Sequence, residues 1–421
     1  MTPPSHDTCA ACMGIDWADA QQDGCLHAAG TATRECLQRE PTPEALDAWG
    51  PTRRTRFHGP PVAVCLALDQ GPLVSAWRPY AFLVLFPSNP LTLARERDAC
   101  TPSRATDDPT DAALQRARRL THRDTLPPLT PQSATMRALT PRVAHRRRVV
   151  GDTGRMTHRL TRTLTHSCPH VRHWFQDKDP ARFGDSLRRW PTLKAGPRAR
   201  RSTLASFCRD QHVRAPEVIA RRIQAIRAAL PLPPAEGGIA PNALLVHALV
   251  AQLRVTWQAI TAFDPASAQR AQRPPDFPLG QALPGAGPVF ASRLLGAFGE
   301  QRARSPSATA RHKYAGIAPV TARSGKTSWG HWRLQGPKFL RQACVAWAAA
   351  SIRHACWAQG SSQPQREQGK APQAAVRALA LQWSRILYRC GPERTPYAEA
   401  TSLHARTRRG SALIHTLAKA S

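Results

Sequence analysis

Asp108 and Asp111, in the string Thr106-Asp107-Asp108-Pro109-Thr110-Asp111, stand three residues apart where a helix should begin. Asp108 reads as the N-cap, Pro109 as the first helical residue and Asp111 as the third. Carboxylates at that spacing lie on one helical face and can converge on a divalent cation. Alone, such a pair would only cap the helix and complement its dipole. A third acid, Asp16, ends a short apolar segment far upstream. The remainder of the chain is basic: 59 Lys and Arg against 28 Asp and Glu in 421 residues, a formal net charge of +31. Hard carboxylate oxygens suit Mg²⁺, and a positive field draws polyanions. The combination points to metal-dependent chemistry on nucleic acid.

The length allows two or three domains with a substantial core. Arginine is much commoner than lysine and clusters at 146–148, 198–201, 221–222 and 408–409. Codon bias accounts for part of that usage but not for the shortage of acids. Eleven cysteines at irregular spacing do not make a disulfide framework in so long a chain. Cys9-Ala10-Ala11-Cys12 is a lone C-x-x-C without the second pair that a structural zinc site needs. There is no cationic segment leading into a long apolar stretch, so no signal peptide is expected. Uninterrupted apolar runs such as Phe82–Phe86 are too short to span a bilayer, and no membrane partner is expected.

Three short segments must position the acids. Cys12–Trp17 reads as a strand delivering Asp16, while Val62–Leu68 and Phe82–Phe86 read as strands buried on both faces. Thr42 caps a helix with Pro43 in its first turn. Strands alternating with helices predict an α/β domain over the first 125 residues. From 134 to 262 the spacing turns helical. Met136, Leu139, Val143 and Val150 form one seam, and Met156, Leu160 and Leu164 another. Pro141 should kink or restart the first of these helices. Asn242–Phe263 is a cleaner helix with Leu244, Leu245, Ala248, Leu249, Leu253 and Trp257 on or near one face. These stretches suit a spacer or dimerisation element, with loops at 231–241 and 273–288. Leu283-Pro284-Gly285-Ala286-Gly287-Pro288 then opens a helix in the manner of a helix-hairpin-helix, whose backbone N–H groups can grip a phosphate. Two more helices are expected at about 337–355 and 372–388.

These strings, taken together, resemble one family. Gly14-Ile15-Asp16-Trp17-Ala18-Asp19, Thr101-Pro102-Ser103-Arg104 before Asp108 and Asp111, Leu283–Gly287, Tyr314–Pro319, Arg323-Ser324-Gly325-Lys326, Pro337–Gln342 and Arg394-Thr395-Pro396-Tyr397 follow one another in order along nearly the whole chain. The chain resembles the DEDD transposases of IS110-type insertion sequences, relatives of the Piv/MooV invertases. The resemblance implies an RNase H-like (RuvC-like) α/β domain at 1–125, a helical coiled-coil spacer at 126–275, a mainly α transposase domain at 276–400 and a basic tail at 401–421. It implies DNA transposition by strand cleavage and rejoining through a serine-linked intermediate. The expected roles are Asp16, Asp108 and Asp111 for Mg²⁺, Ser324 as nucleophile, and Gly285, Gly287, Arg323, Lys326, Lys338 and Arg341 as nucleic-acid contacts. The implied partners are the element ends and target DNA, a structured non-coding guide RNA, and further copies of the chain as a dimer or tetramer in the cytoplasm, associated with the nucleoid.

One departure matters. The family glutamate lies in a Val-Cys-Leu-Glu-Leu-type string before Gly-Pro-Leu-Val, and this chain has Ala67 there. Alanine offers no oxygen ligand. Asp69 lies two residues on, about 6.6 Å along an extended strand, more than a side chain easily recovers. Weakened or lost activity is therefore expected. The competing readings are a metal-dependent nuclease or junction resolvase that lacks the serine step, and a catalytically degenerate remnant that binds DNA or RNA.

Overall fold

The computed structural model describes residues 9–18, 20–67, 69, 71–100, 107–123, 126–167, 170, 180–190, 195–211, 213, 215–229, 239–301, 305–333 and 336–410. Thr101–Arg104, Asp19 and the end of the basic tail at 411–421 lie outside them. The chain divides into two compact units, Met1–Pro131 and Gln132–Ser421.

The first unit is a mixed α/β sheet. Its strands are β1 (Ala11–Trp17), β2 (Gln22–Ala28), β3 (Glu35–Arg39), β4 (Val62–Leu66) and β5 (Leu83–Pro87), in the order β3-β2-β1-β4-β5. β1, β2 and β3 pair antiparallel, and β4 and β5 continue from β1 in parallel. The helices are α1 (Pro43–Arg56), α2 (Pro72–Trp77), α3 (Pro90–Cys100) and α4 (Asp108–Thr121). All five residues of β4 are buried, as its uninterrupted apolar run requires for an inner parallel strand. Thr42 accepts from the Ala45 N–H and caps α1, as expected. β2 and β3 were not expected: Gln22-Asp23-Gly24 opens β2 with polar residues and glycine, which depress strand propensity. They form because β1 supplies an antiparallel edge directly after a tight connection.

Period-two alternation decides which face of β1 does what. Ala11, Met13 and Ile15 join Leu26, Leu46 and Trp77 in one core. Cys12 belongs to a second core with Ala63, Cys65, Phe86 and Leu126. Gly14 and Asp16 share the Cys12 face. A Cβ on Gly14 would stand 2.0 Å from the Ala112 carbonyl oxygen and 2.4 Å from the Arg116 nitrogen, so α4 lies on bare strand backbone there. That close approach sets the depth of α4 and of the acids in its first turn.

In the second unit α5 (Ala134–Ser167) and α10 (Ile239–Ala271) pair antiparallel, with α6 (Pro180–Arg189), α7 (Ala195–Arg198), α8 (Arg201–Asp210) and α9 (Pro216–Arg227) between them in sequence. Near one end Arg142 Nη1 donates to the Ala266 carbonyl at 3.3 Å. Toward the other, Leu160 and Leu164 pack with Val246, Leu249, Val250 and Leu253. Met136, Leu139 and Val143 are buried as expected, but Val150 is exposed. Leu244 and Leu245 are exposed too, at 72% and 46%, because the buried face of α10 is set by Val246 and Val250, one to two residues round the helix. Pro141 neither ends nor restarts α5, which runs through it. Residues 240–271 are long and apolar enough, by length and composition, to cross a membrane. Counting uninterrupted apolar runs missed this, since single polar residues punctuate the stretch; one face of it is packed on α5 within the protein.

Beyond lie α11 (Phe277–Gln281), α12 (Gly287–Phe298), α13 (Ala308–Tyr314), the hairpin β6 (Val320–Ser324) and β7 (Thr327–His331), α14 (Lys338–Ser351), α15 (Cys356–Glu367), α16 (Pro372–Glu393) and α17 (Glu399–Thr407). The expected helix at 337–355 thus stops at Ser351. Trp347, Trp357 and Trp383 form the core here, with ring centroids 4.7 and 4.6 Å apart around Trp383. Their N–H groups are satisfied by Pro284 O, Tyr397 Oη and Ser351 Oγ. Tyr397, the last residue of Arg394-Thr395-Pro396-Tyr397, thus has a structural role.

Gly14→Ala is expected to lower stability by about 3 kcal/mol, since the helix backbone cannot yield to a methyl group. Chemical denaturation measures it, and an unchanged midpoint would mean that α4 does not rest on β1 at this depth.

Candidate active site

The acid end of the first unit is built by β1, β2 and α4. Asp107, not Asp108, caps α4, its Oδ1 accepting from the Thr110 N–H at 2.8 Å. This moves the expected cap back one residue. Asp108 becomes the first helical residue and is exposed, while Asp111 is buried at 9%. Asp16 is half-buried next to the end of β1. Burial raises its carboxyl above the usual range, and Asp111 and then Asp108 push it further the same way. The structure thus gathers the three expected acids into one electrostatic cluster.

Two further charged groups lie at this end, one opposite Asp16 in the sheet and one paired with Asp111, and neither was expected. Asp23 stands directly opposite Asp16 in the β1–β2 ladder and so shares its face. It is 4% exposed and accepts from Gln38 Nε2 at 3.1 Å and Gln21 Nε2 at 3.3 Å. Only knowledge of the hairpin register could have brought it in. Arg97, on α3, grips Asp111 with both ends of its guanidinium: Nε reaches Oδ1 at 2.7 Å, and Nη2 reaches Oδ2. A spacing of 14 residues between two helices gives no signal for that pair in the sequence.

Ala67 falls on a bend just past β4 rather than inside the strand. Asp69 is exposed on the same bend and is not among the charges that dominate the surroundings of Asp16. Among the described residues no three His, Cys, Asp or Glu side chains are arranged to hold a metal ion. The donor set does not fit a divalent cation in this arrangement, because Arg97 already takes both Asp111 oxygens and Ala67 contributes none. The C-x-x-C does not alter this: burial pushes the Cys12 thiol up to about 11, far from a ligating thiolate.

The other expected residues belong to the second unit. Ser324 ends β6, paired with Thr327 across the two-residue turn Gly325-Lys326. Gly325 has φ of +55° and no other turn residue is left-handed, which is the geometry of a type II′ hairpin. Arg323, Ser324 and Lys326 are all exposed at this tip. Gly285 has φ of +68°, and a Cβ there would meet His354 at 2.7 Å; Gly287 has φ of +51° and open space beside it. The loop they form leads straight into α12, whose N-terminus has no side-chain cap. Lys338 is exposed at the start of α14. Arg341 is half-buried, donating to the Arg333 carbonyl at 3.0 Å and lying over the Trp332 ring. It braces the segment after β7.

Two family models match this chain. A DEDD transposase model covers residues 13–169, and the model described as Transposase IS116/IS110/IS902 family covers residues 280–363. A Streptomyces coelicolor protein assigned as the mini-circle transposase for IS117 is 28% identical over 409 residues, 94% of this chain and 97% of its own. A DEDD transposase domain implies an RNase H-like fold and use of a divalent metal. The mixed sheet agrees with the former at the level of class.

Two outcomes follow. A carboxyl raised by folding favours the native state below its unfolded value and opposes it once pH rises through the folded one. Asp16→Asn should therefore raise the melting temperature at neutral pH, with the gain vanishing below about pH 3.9; a difference that does not vary with pH would contradict this. Arg97→Gln should free Asp111 and tighten Mn²⁺ binding at least about tenfold by calorimetry. Equal affinity in the two proteins would show that the ion pair does not obstruct a cation.

Proposed function

The chain belongs to the IS110 family of DEDD transposases, a DNA transposase/recombinase by that membership, and from this premise we propose that it exchanges DNA strands through a phosphoserine intermediate on Ser324. The observation that carries the reading is that one matched segment holds Asp16, Asp108 and Asp111 and the other holds Ser324, in a single chain aligned with one relative over nearly its full length. Ser324 Oγ attacks the phosphodiester phosphorus, its proton passes to solvent, and the displaced sugar hydroxyl leaves. The reverse attack by another hydroxyl rejoins DNA and releases serine. Arg323 and Lys326 flank the hydroxyl at the exposed tip, where two cations offset charge on the attacked phosphate. Ser324 is otherwise a weak nucleophile.

In this reading the first unit is RuvC-like, and α5 with α10 is the coiled-coil spacer. Gly285, Gly287, Lys338 and Arg341 belong to the nucleic-acid surface, Arg341 by holding it in place. A structured guide RNA pairs with donor and target DNA, leaving the protein to bind backbones with basic surface. The working form is a homo-oligomer in the cytoplasm. No step is assigned to Mg²⁺, because the acid end does not fit it while Arg97 holds Asp111. That pair, with Ala67, favours a second reading: a degenerate transposase that binds nucleic acid without cutting it.

A supercoiled-plasmid recombination assay with the element RNA separates the two. Ala67→Glu is expected to raise recombination at least about tenfold, and Ser324→Ala to abolish the covalent protein–DNA product in either background. A covalent product that survives Ser324→Ala would overturn the serine mechanism. Failure of both proteins to recombine, with salt-sensitive binding retained, would select the degenerate reading.

A further inference from the structure

Where α5, α10 and α12 meet, a narrow cleft open to solvent is lined by Arg146, Arg147, Asp264, Ser267 and Arg293 among others. Arg293 is only 9% exposed, yet its Nε and Nη2 have no hydrogen-bond partner. The rings of Phe290 and Phe339 are 6.0 and 5.9 Å away, at the outer limit of a useful cation–π contact. Asp264 is the only acid lining the cleft, and Arg146 engages both its oxygens. Ser267 Oγ is also buried without a partner. Burial together with Arg147 and Arg146 pushes the Arg293 guanidinium down to about 10, so these cations oppose one another.

A buried guanidinium with unmet donors and like charges around it is unfavourable unless an anion completes the site. Fixed, planar donors of this kind suit a phosphate. A second hollow lies next along the same helix pair, lined by Arg142, Gln269, Arg270 and Arg273. Arg142 precedes Arg146 by four residues on α5 and Arg270 follows Ser267 by three on α10, so the two hollows are separated by about one helical turn, 5.4 Å. We propose that the α5–α10–α12 cleft and its neighbour hold successive phosphates of a nucleic-acid strand. This deepens the nucleic-acid reading above and rests on it for the class of ligand, while its test measures binding and needs no recombination.

The test compares full-length protein with Arg293→Met and Arg147→Gln, titrating a short mixed-sequence DNA duplex and a single-stranded RNA over a range of salt. Each variant is expected to bind at least one of them about tenfold more weakly, with a log–log salt slope shallower by about one. A change confined to the duplex assigns the site to DNA, and one confined to the RNA assigns it to RNA. Inorganic phosphate should raise the melting temperature of the unaltered protein more than that of Arg293→Met. If Arg293→Met does not fold, Arg147→Gln decides, because Arg147 is only half-buried. Unchanged affinity and slope on both nucleic acids would overturn the proposal, as would stabilisation by phosphate without a slope change, which would mean an adventitious ion only. A protein that shows the slope change but never recombines keeps this site and sinks the strand-exchange reading instead.

Discussion

Helix α4 rests on β1 without an intervening side chain, and much of the first unit follows from that contact. At Gly14 the strand offers bare backbone, and the helix backbone at Ala112 and Arg116 fills the space that a methyl group would need. Side-chain alternation then leaves Asp16 on the same face, two residues along. The first turn of α4 brings Asp111 and Asp108 close enough for their charges to act on it. Two rules of backbone geometry, period two in a strand and three to four in a helix, thereby convert aspartates nearly a hundred residues apart into one site.

The acid end is balanced within the protein: Ala67 offers no oxygen just past β4, and a guanidinium sits against Asp111. The arrangement is self-consistent as an ion pair. Asp111 is thereby held by a side chain, whereas Arg323, Ser324 and Lys326 are exposed together at the hairpin tip.

Much of this was legible in residue order, and what was not has physical causes. Uninterrupted apolar runs at Val62–Leu66 and Leu83–Phe86 announce inner strands, and Thr42-Pro43 announces a helix start. β2 escaped because Gln22, Asp23 and Gly24 carry no apolar signal, their pairing being dictated by β1. Asp23 was invisible for the same reason. Arg97 was hidden because an ion pair between two helices depends on how they pack, which spacing alone does not encode. On α10 Leu249, Leu253 and Trp257 pack as expected while Leu244, Leu245 and Ala248 do not: the stretch is apolar on several sides, so the exact face that meets α5 is fixed by packing rather than by composition.

The antiparallel α5–α10 pair enters and leaves its rod at one end, since Ala134 and Ala271 lie at the same extremity while α6 to α9 are inserted at the other. With 34 residues in α5, the rod reaches about 50 Å. Such a layout separates reach from connectivity. Adding or deleting whole turns in both partners would lengthen or shorten the arm, and the distal helices could be exchanged, without disturbing either attachment point. The arm is thus a part whose length evolution can tune without moving the residues at either attachment.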